Sequence, residues 1–140
     1  MKYSLSAPFS LSIHEDAEAD LEDLYQVDED GAALIDAFLQ EAAGSQDILD
    51  RFTIRNYRSY GNTFDFDVKR WQSLWHKYGL WRIRLFAVPG VAASHRIVYA
   101  FHGTQRRYYI LGIVPRDFDY APQHPYTKRI VSAYRELGIP

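Results

Sequence analysis

At 140 residues, with 47% of positions apolar and 16% aromatic, the chain has the make-up of one folded domain with its own core, which excludes a fibrous or disordered protein. It has no cysteine, which excludes a disulfide framework and a thiolate zinc site, and no run approaches the roughly 18 apolar residues of a membrane helix. The formal net charge is only −2, yet residues 1–50 hold 13 acids against one lysine and residues 51–140 hold 15 Lys and Arg against 5 acids, balances of −12 and +10. Such asymmetry points to a basic surface for an anionic partner beside an acidic flank, with pairing between the two halves as the plainer alternative. The opening MKYSLSAPFSLSI lacks the apolar core and cleavage site of a secretory signal. The expectation is a single domain over 1–140, soluble and cytoplasmic, with no membrane partner.

Phe9, Leu11 and Ile13 alternate with Ser10, Ser12 and His14, the period of a half-buried strand. From Glu15 the period changes. Ala17, Leu21, Leu24 and Tyr25 form one helical stripe with acids on the other faces, and Leu34, Ile35, Phe38, Leu39 and Ala42 form another, opened by Asp28, Glu29 and Asp30 and stopped at Gly44. Residues 45–79 read as an insert of uncertain structure: a short helix near Ile48, Leu49 and Phe52, a turn over 57–62, and a helix over 68–78 with Trp71 and Trp75 on one buried face. Trp81, Ile83 and Leu85 then alternate with Arg82, Arg84 and Phe86 up to the break at Pro89-Gly90. Residues 95–101 predict a second strand, 102–105 a hairpin connection and 108–114 its partner. After a loop over 117–124, Ile130, Val131, Tyr134 and Leu137 make the face of a last helix ended by Gly138. The order predicts an α+β fold, with helices on one side of a mainly antiparallel sheet.

The segments Trp81-Arg82-Ile83-Arg84-Leu85, Ser94-His95-Arg96-Ile97-Val98-Tyr99 and Ile110-Leu111-Gly112-Ile113-Val114-Pro115-Arg116 together resemble the core of RelE-type toxins, in the RelE/ParE superfamily of type II toxin–antitoxin systems. The resemblance implies a RelE-like (microbial RNase-like) fold: an N-terminal strand and two helices, a three-stranded antiparallel meander joining the first strand, and a C-terminal helix. It also implies a metal-independent, ribosome-dependent endoribonuclease without cofactors, which cleaves mRNA by attack of a 2′-hydroxyl on the adjacent phosphate. The implied partners are the ribosome, mRNA and a cognate antitoxin encoded in an adjacent gene. By the same resemblance Arg82, Arg84 and Arg96 bind RNA phosphate, and Arg116 assists departure of the leaving group.

Guanidinium suits phosphate, because its five donors grip oxygens in pairs, but it is a poor proton acceptor. Where RelE itself carries lysines this chain has arginines, so another group must take the proton. Asp117, Asp119, Tyr120, His124 and Tyr126 crowd the segment after Arg116. Of these His124 ranks first, since an imidazole titrates near neutrality unaided, and Tyr120 and Tyr126 follow as stacking or leaving-group residues. His95 and His102 fall on opposite faces of their strand and make no metal pair. Two other readings are a ParE-like DNA gyrase inhibitor acting by protein binding and a catalytically inactive toxin-like binding protein. Neither needs a catalytic set.

Overall fold

In the computed structural model, which describes residues 8–59, 64–72, 77–88 and 91–139, the alternating C-terminal segments form a meander of β3 (Leu80–Val88), β4 (Val91–His102) and β5 (Arg107–Pro115). β1 (Ser10–Ile13) lies parallel to β5, and β2 (Asp65–Arg70) lies antiparallel to β3. The sheet is therefore open and mixed, in the order β1-β5-β4-β3-β2. Four helices complete an α+β architecture: α1 (Glu15–Val27), α2 (Glu29–Ala43), α3 (Gln46–Arg51) and α4 (Pro125–Glu136). No helix among the described residues is long and apolar enough to cross a membrane.

Local chemistry sets the helix starts. His14 Nδ1 accepts from the Asp16 N–H at 3.0 Å, Asp28 accepts from Gly31 at 3.0 Å and Ser45 from Ile48 at 3.2 Å, each satisfying an N–H that the first turn leaves free. The first three helices cover one face of the sheet, where Ile35, Phe38 and Leu39 of α2 meet Ile83, Ile97, Tyr99 and Tyr108. Phe52, just after α3, packs among Phe38, Phe66, Tyr99 and Tyr108 at ring separations of 5.2–6.4 Å. Each such side chain removed from water contributes about 1.5–3 kcal/mol.

α4 packs on the opposite face, so the helices occupy both sides and not one. Ile130 and Ala133 need an apolar bed, and Val98, Leu111 and Val114 supply it on the side that α1 to α3 leave open. A bulge in β5 makes this possible: the register shifts at Val98/Tyr99, so Ile110 and Ile113 join the first core while Leu111 and Val114 join the second. Gly112 lies under α4, where an added Cβ would sit 3.0 Å from Ile130 Cδ1. Asp20 of α1 ties the bulge down. It accepts the Ile113 N–H at 2.9 Å and pairs with both terminal nitrogens of Arg129 at 2.6 and 2.9 Å.

The insert holds the largest departure from expectation. Part of the helix expected over 68–78 is instead the end of β2, because Phe66 and Val68 alternate with Asp65, Asp67 and Lys69, a period-2 pattern that puts both apolar residues in the core. Trp71 is buried as expected, but it follows the strand and packs against Phe118 and Tyr120; Trp75 lies outside the described residues. Of the turn expected over 57–62, residues 57–59 run beside β2, with Ser59 donating to the Phe66 carbonyl and Val68 to that of Tyr57. Residues 60–62 lie outside the described set.

Candidate functional site

Alternation along β3 sends Trp81, Ile83 and Leu85 to the covered face and leaves Arg82 and Arg84 on the other. Register then assembles a row across three strands: Asp67 opposite Arg84, and Arg84 opposite Arg96. Two arginines facing each other across a strand pair repel, and Asp67 offsets this. Its Oδ1 accepts from Arg82 at 3.1 Å, and its Oδ2 from Arg84 Nη2 at 2.5 Å and Nε at 3.1 Å. The side chains of Asp67 and Arg82 are 9% and 11% exposed, that of Arg84 31%. Burial pushes the Asp67 carboxyl up, but hydrogen bonding and charge from Arg84 and then Arg82 outweigh it and hold the group below its ordinary value. Burial likewise lowers Arg82 more than Asp67 raises it, whereas the bond to Asp67 raises the less buried Arg84. Three guanidiniums and one carboxylate leave the row net positive.

Arg96 differs from its neighbours. Among the described residues its Nε is buried without a hydrogen-bond partner, and Nη1 reaches only the Tyr120 hydroxyl, at 3.5 Å, the long limit of such a bond. A buried donor left unmade costs about 1–3 kcal/mol, and the loosely held terminal nitrogens are the part of this guanidinium with capacity for an anion. Tyr120 arrives from the segment beyond β5. That segment first extends the ladder, Arg116 N donating to Ser94 O at 2.9 Å. It then buries Phe118 and turns at Tyr120, whose φ of 59° is left-handed. A tyrosine held there costs about 1–3 kcal/mol, and such strain gathers at working positions. Its ring abuts Trp71 and Phe118, both at 4.7 Å, and its oxygen lies in the electrostatic field of Arg82 and Arg84 as well as beside Arg96. A cavity of about 330 Å³ opens between Tyr120, Arg82, Lys69 and Gln72.

Of the remaining sequence candidates, His124 and Tyr126 reach this cluster, among the described residues, only through the Phe118 ring, at 4.6 and 5.6 Å, and not through the arginines. Arg116 is exposed, and its Nη1 donates to the Ala92 carbonyl at 3.3 Å, at the start of β4. His124 caps α4: its Nδ1 accepts the Tyr126 N–H at 3.0 Å, and its ring stacks on that of Tyr126 at 5.0 Å and 18°. With Nδ1 accepting this bond, Nε2 is the ring nitrogen left to exchange a proton with any other group. Tyr126 in turn lies under Arg129 at 5.3 Å. No hydrogen bond or ring contact among the described residues joins Arg116, His124 or Tyr126 to Arg82, Arg84 or Arg96. Asp67 is the residue that sequence reasoning missed; the signal for it was the alternation of Phe66 and Val68 with acids on either side.

The charge split is realised in space as well. Arg129 bridges the halves to Asp16 and Asp20, but Arg58, Arg82 and Arg84 find their carboxylates, Asp65 and Asp67, within the basic half. In comparisons with known proteins, no family model, no curated protein and no solved structure matches the chain.

Proposed function

We propose that the arginine face grips the phosphodiester backbone of RNA and that the chain is a RelE-type toxin, a metal-independent endoribonuclease acting on mRNA at the ribosome, with its antitoxin encoded next door. The observation that carries this reading is the junction of Arg96, with its loosely held terminal nitrogens, and the Tyr120 hydroxyl on an open, net-positive stretch of sheet. Support also comes from the meander joined by the first strand, the arrangement the sequence resemblance implies, although α3 and β2 stand between them in addition to the two helices α1 and α2.

In this reading the 2′-hydroxyl attacks the adjacent phosphorus, the bond to the 5′-oxygen breaks, and the products are a 2′,3′-cyclic phosphate and a 5′-hydroxyl. Arg96 and Arg84 stabilise the charge that grows on the phosphoryl oxygens. Tyr120 is the proton-transfer group nearest them, passing the proton of the 2′-hydroxyl toward the departing 5′-oxygen, and Arg116 and His124 are the remaining candidates from the same segment. One observation favours the protein-binding alternatives, a ParE-like gyrase inhibitor or an inactive toxin-like protein: Asp67 already neutralises much of Arg82 and Arg84. Primer extension on translated mRNA, after induction of the wild type and an Arg96→Ala, Tyr120→Phe double variant, separates them. Cuts with the wild type alone are expected; intact transcripts with an SOS response would select the gyrase reading.

A further inference from the structure

Building on the RNA-binding reading, we propose that Arg84 is a two-position guanidinium: it rests on Asp67 and moves to share a phosphate with Arg96, so that Asp67 acts as a built-in competitor setting the site's affinity for anions.

The geometry gives Arg84 two partners, one on each side. Asp67 stands directly across from it on β2 and Arg96 directly across on β4. Cross-strand neighbours are about 4.5–5.5 Å apart at Cα, within reach of one arginine that changes rotamer. At rest both Arg84 Nε and Nη2 are given to the carboxylate, the paired grip a phosphate would otherwise receive. Asp67 itself has no room to withdraw. Phe66 and Val68 on either side of it are core residues, and β2 is pinned on its far edge by the bonds to Tyr57 and Ser59. The moving part is therefore the arginine. Of the two that hold Asp67, Arg84 is the more exposed, 31% against 11% for Arg82, so it is the one with room to change rotamer.

The exchange also balances charge. When Arg84 leaves, Arg82 stays on Asp67 at 3.1 Å, so no buried carboxylate is stranded. Meanwhile the phosphate between Arg84 and Arg96 removes the repulsion of facing cations and takes up the weakly held terminal nitrogen of Arg96. Without Asp67 the same two arginines would bind any polyanion at once.

The test uses a short 2′-O-methyl oligoribonucleotide, which binds without being cut, and inorganic phosphate as a probe independent of RNA. Asp67→Asn removes the competitor. Because it leaves Arg82 buried without a counter-charge, Asp67→Asn, Arg82→Met is made alongside it, which removes both charges of the buried pair. Fluorescence anisotropy across a salt series is expected to show about tenfold tighter RNA binding by both variants, with a salt slope steeper by about 0.7, one additional single-strand phosphate contact. Phosphate in place of chloride at equal ionic strength should raise the Tm of both variants more than that of the wild type. Equal or weaker binding of RNA and of phosphate by the variants overturns the proposal, and Asp67 then merely orients the arginines. A phosphate response confined to the variants, with no RNA binding by any of the three proteins, keeps the competitor and removes the RNA reading.

Discussion

The two faces of the sheet are built from the same strands and do opposite things. On the face under α1 to α3, Ile83, Ile97, Tyr99 and Tyr108 are sealed from water, and even the Tyr99 hydroxyl is spent, donating to the Phe52 carbonyl at 2.6 Å. On the other face α4 covers the β5 side, and the rest carries Arg82, Arg84 and Arg96 around one carboxylate, with a left-handed tyrosine leaning in. Because side chains alternate along a strand, one sequence segment serves both. The difference teaches that stability and anion binding sit back to back, so single substitutions should separate them.

The largest effect belongs to the sealed face. Phe52→Ala, which empties a ring from among four aromatic neighbours, should cost about 3–5 kcal/mol in urea denaturation while RNA affinity per folded molecule is kept. A loss in both would mean the faces are coupled through the sheet. On the open face, Tyr120→Phe retains the ring contacts and removes only the hydroxyl. Stability should stay within about 0.5 kcal/mol while cleavage falls about 100-fold or more, compared as single-turnover rates.

Acid should lower Tm over two pH ranges, the first set by His95 on the sealed face and the second by the depressed carboxyls of Asp67 and Asp28. Burial holds the His95 imidazole low despite nearby Asp28, so the unfolded chain takes a proton there that the folded chain refuses, and Tm should decline as pH drops through about 6.5. Asp67 has a depressed carboxyl, so its contribution is fully present above about pH 3.9 and is lost as pH falls from there toward its lower folded value. In Asp67→Asn the second decline should shrink and the first remain. The smallest effect is expected at Lys69, exposed on β2 beside the cavity: its alanine variant should lower RNA affinity a few-fold and flatten the salt slope by about 0.7 with Tm unchanged.

Much of this division was legible in the sequence. Arg82 and Arg84 alternate with Trp81, Ile83 and Leu85, and that pattern alone assigns them to the face opposite the core. Tyr120 was visible as one candidate among several after Arg116. Asp67 was not, because its two partners lie 15 and 17 residues away and meet it only through the β2–β3 register. Its strand is a six-residue alternation in an aromatic stretch whose spacing equally suggested a helix. The stripe of Ile130 and Tyr134 announced α4 but held no sign of which face would receive it; that was decided by the bulge at Leu111 and Gly112. His124 drew attention by its titration range, although a His-Pro pair opening a helix equally marks a cap, the use the fold makes of it.

The central claim is that the open face cuts RNA at a phosphate held by Arg96 beside Tyr120. The most direct test is to mix the purified protein with ribosomes translating a defined message and to analyse the new ends. The account predicts upstream fragments ending in a 2′,3′-cyclic phosphate, abolished by Arg96→Ala and unaffected by Arg135→Ala in the last turn of α4. An intact message, fragments ending in a 3′-hydroxyl, or undiminished cutting by Arg96→Ala would contradict it.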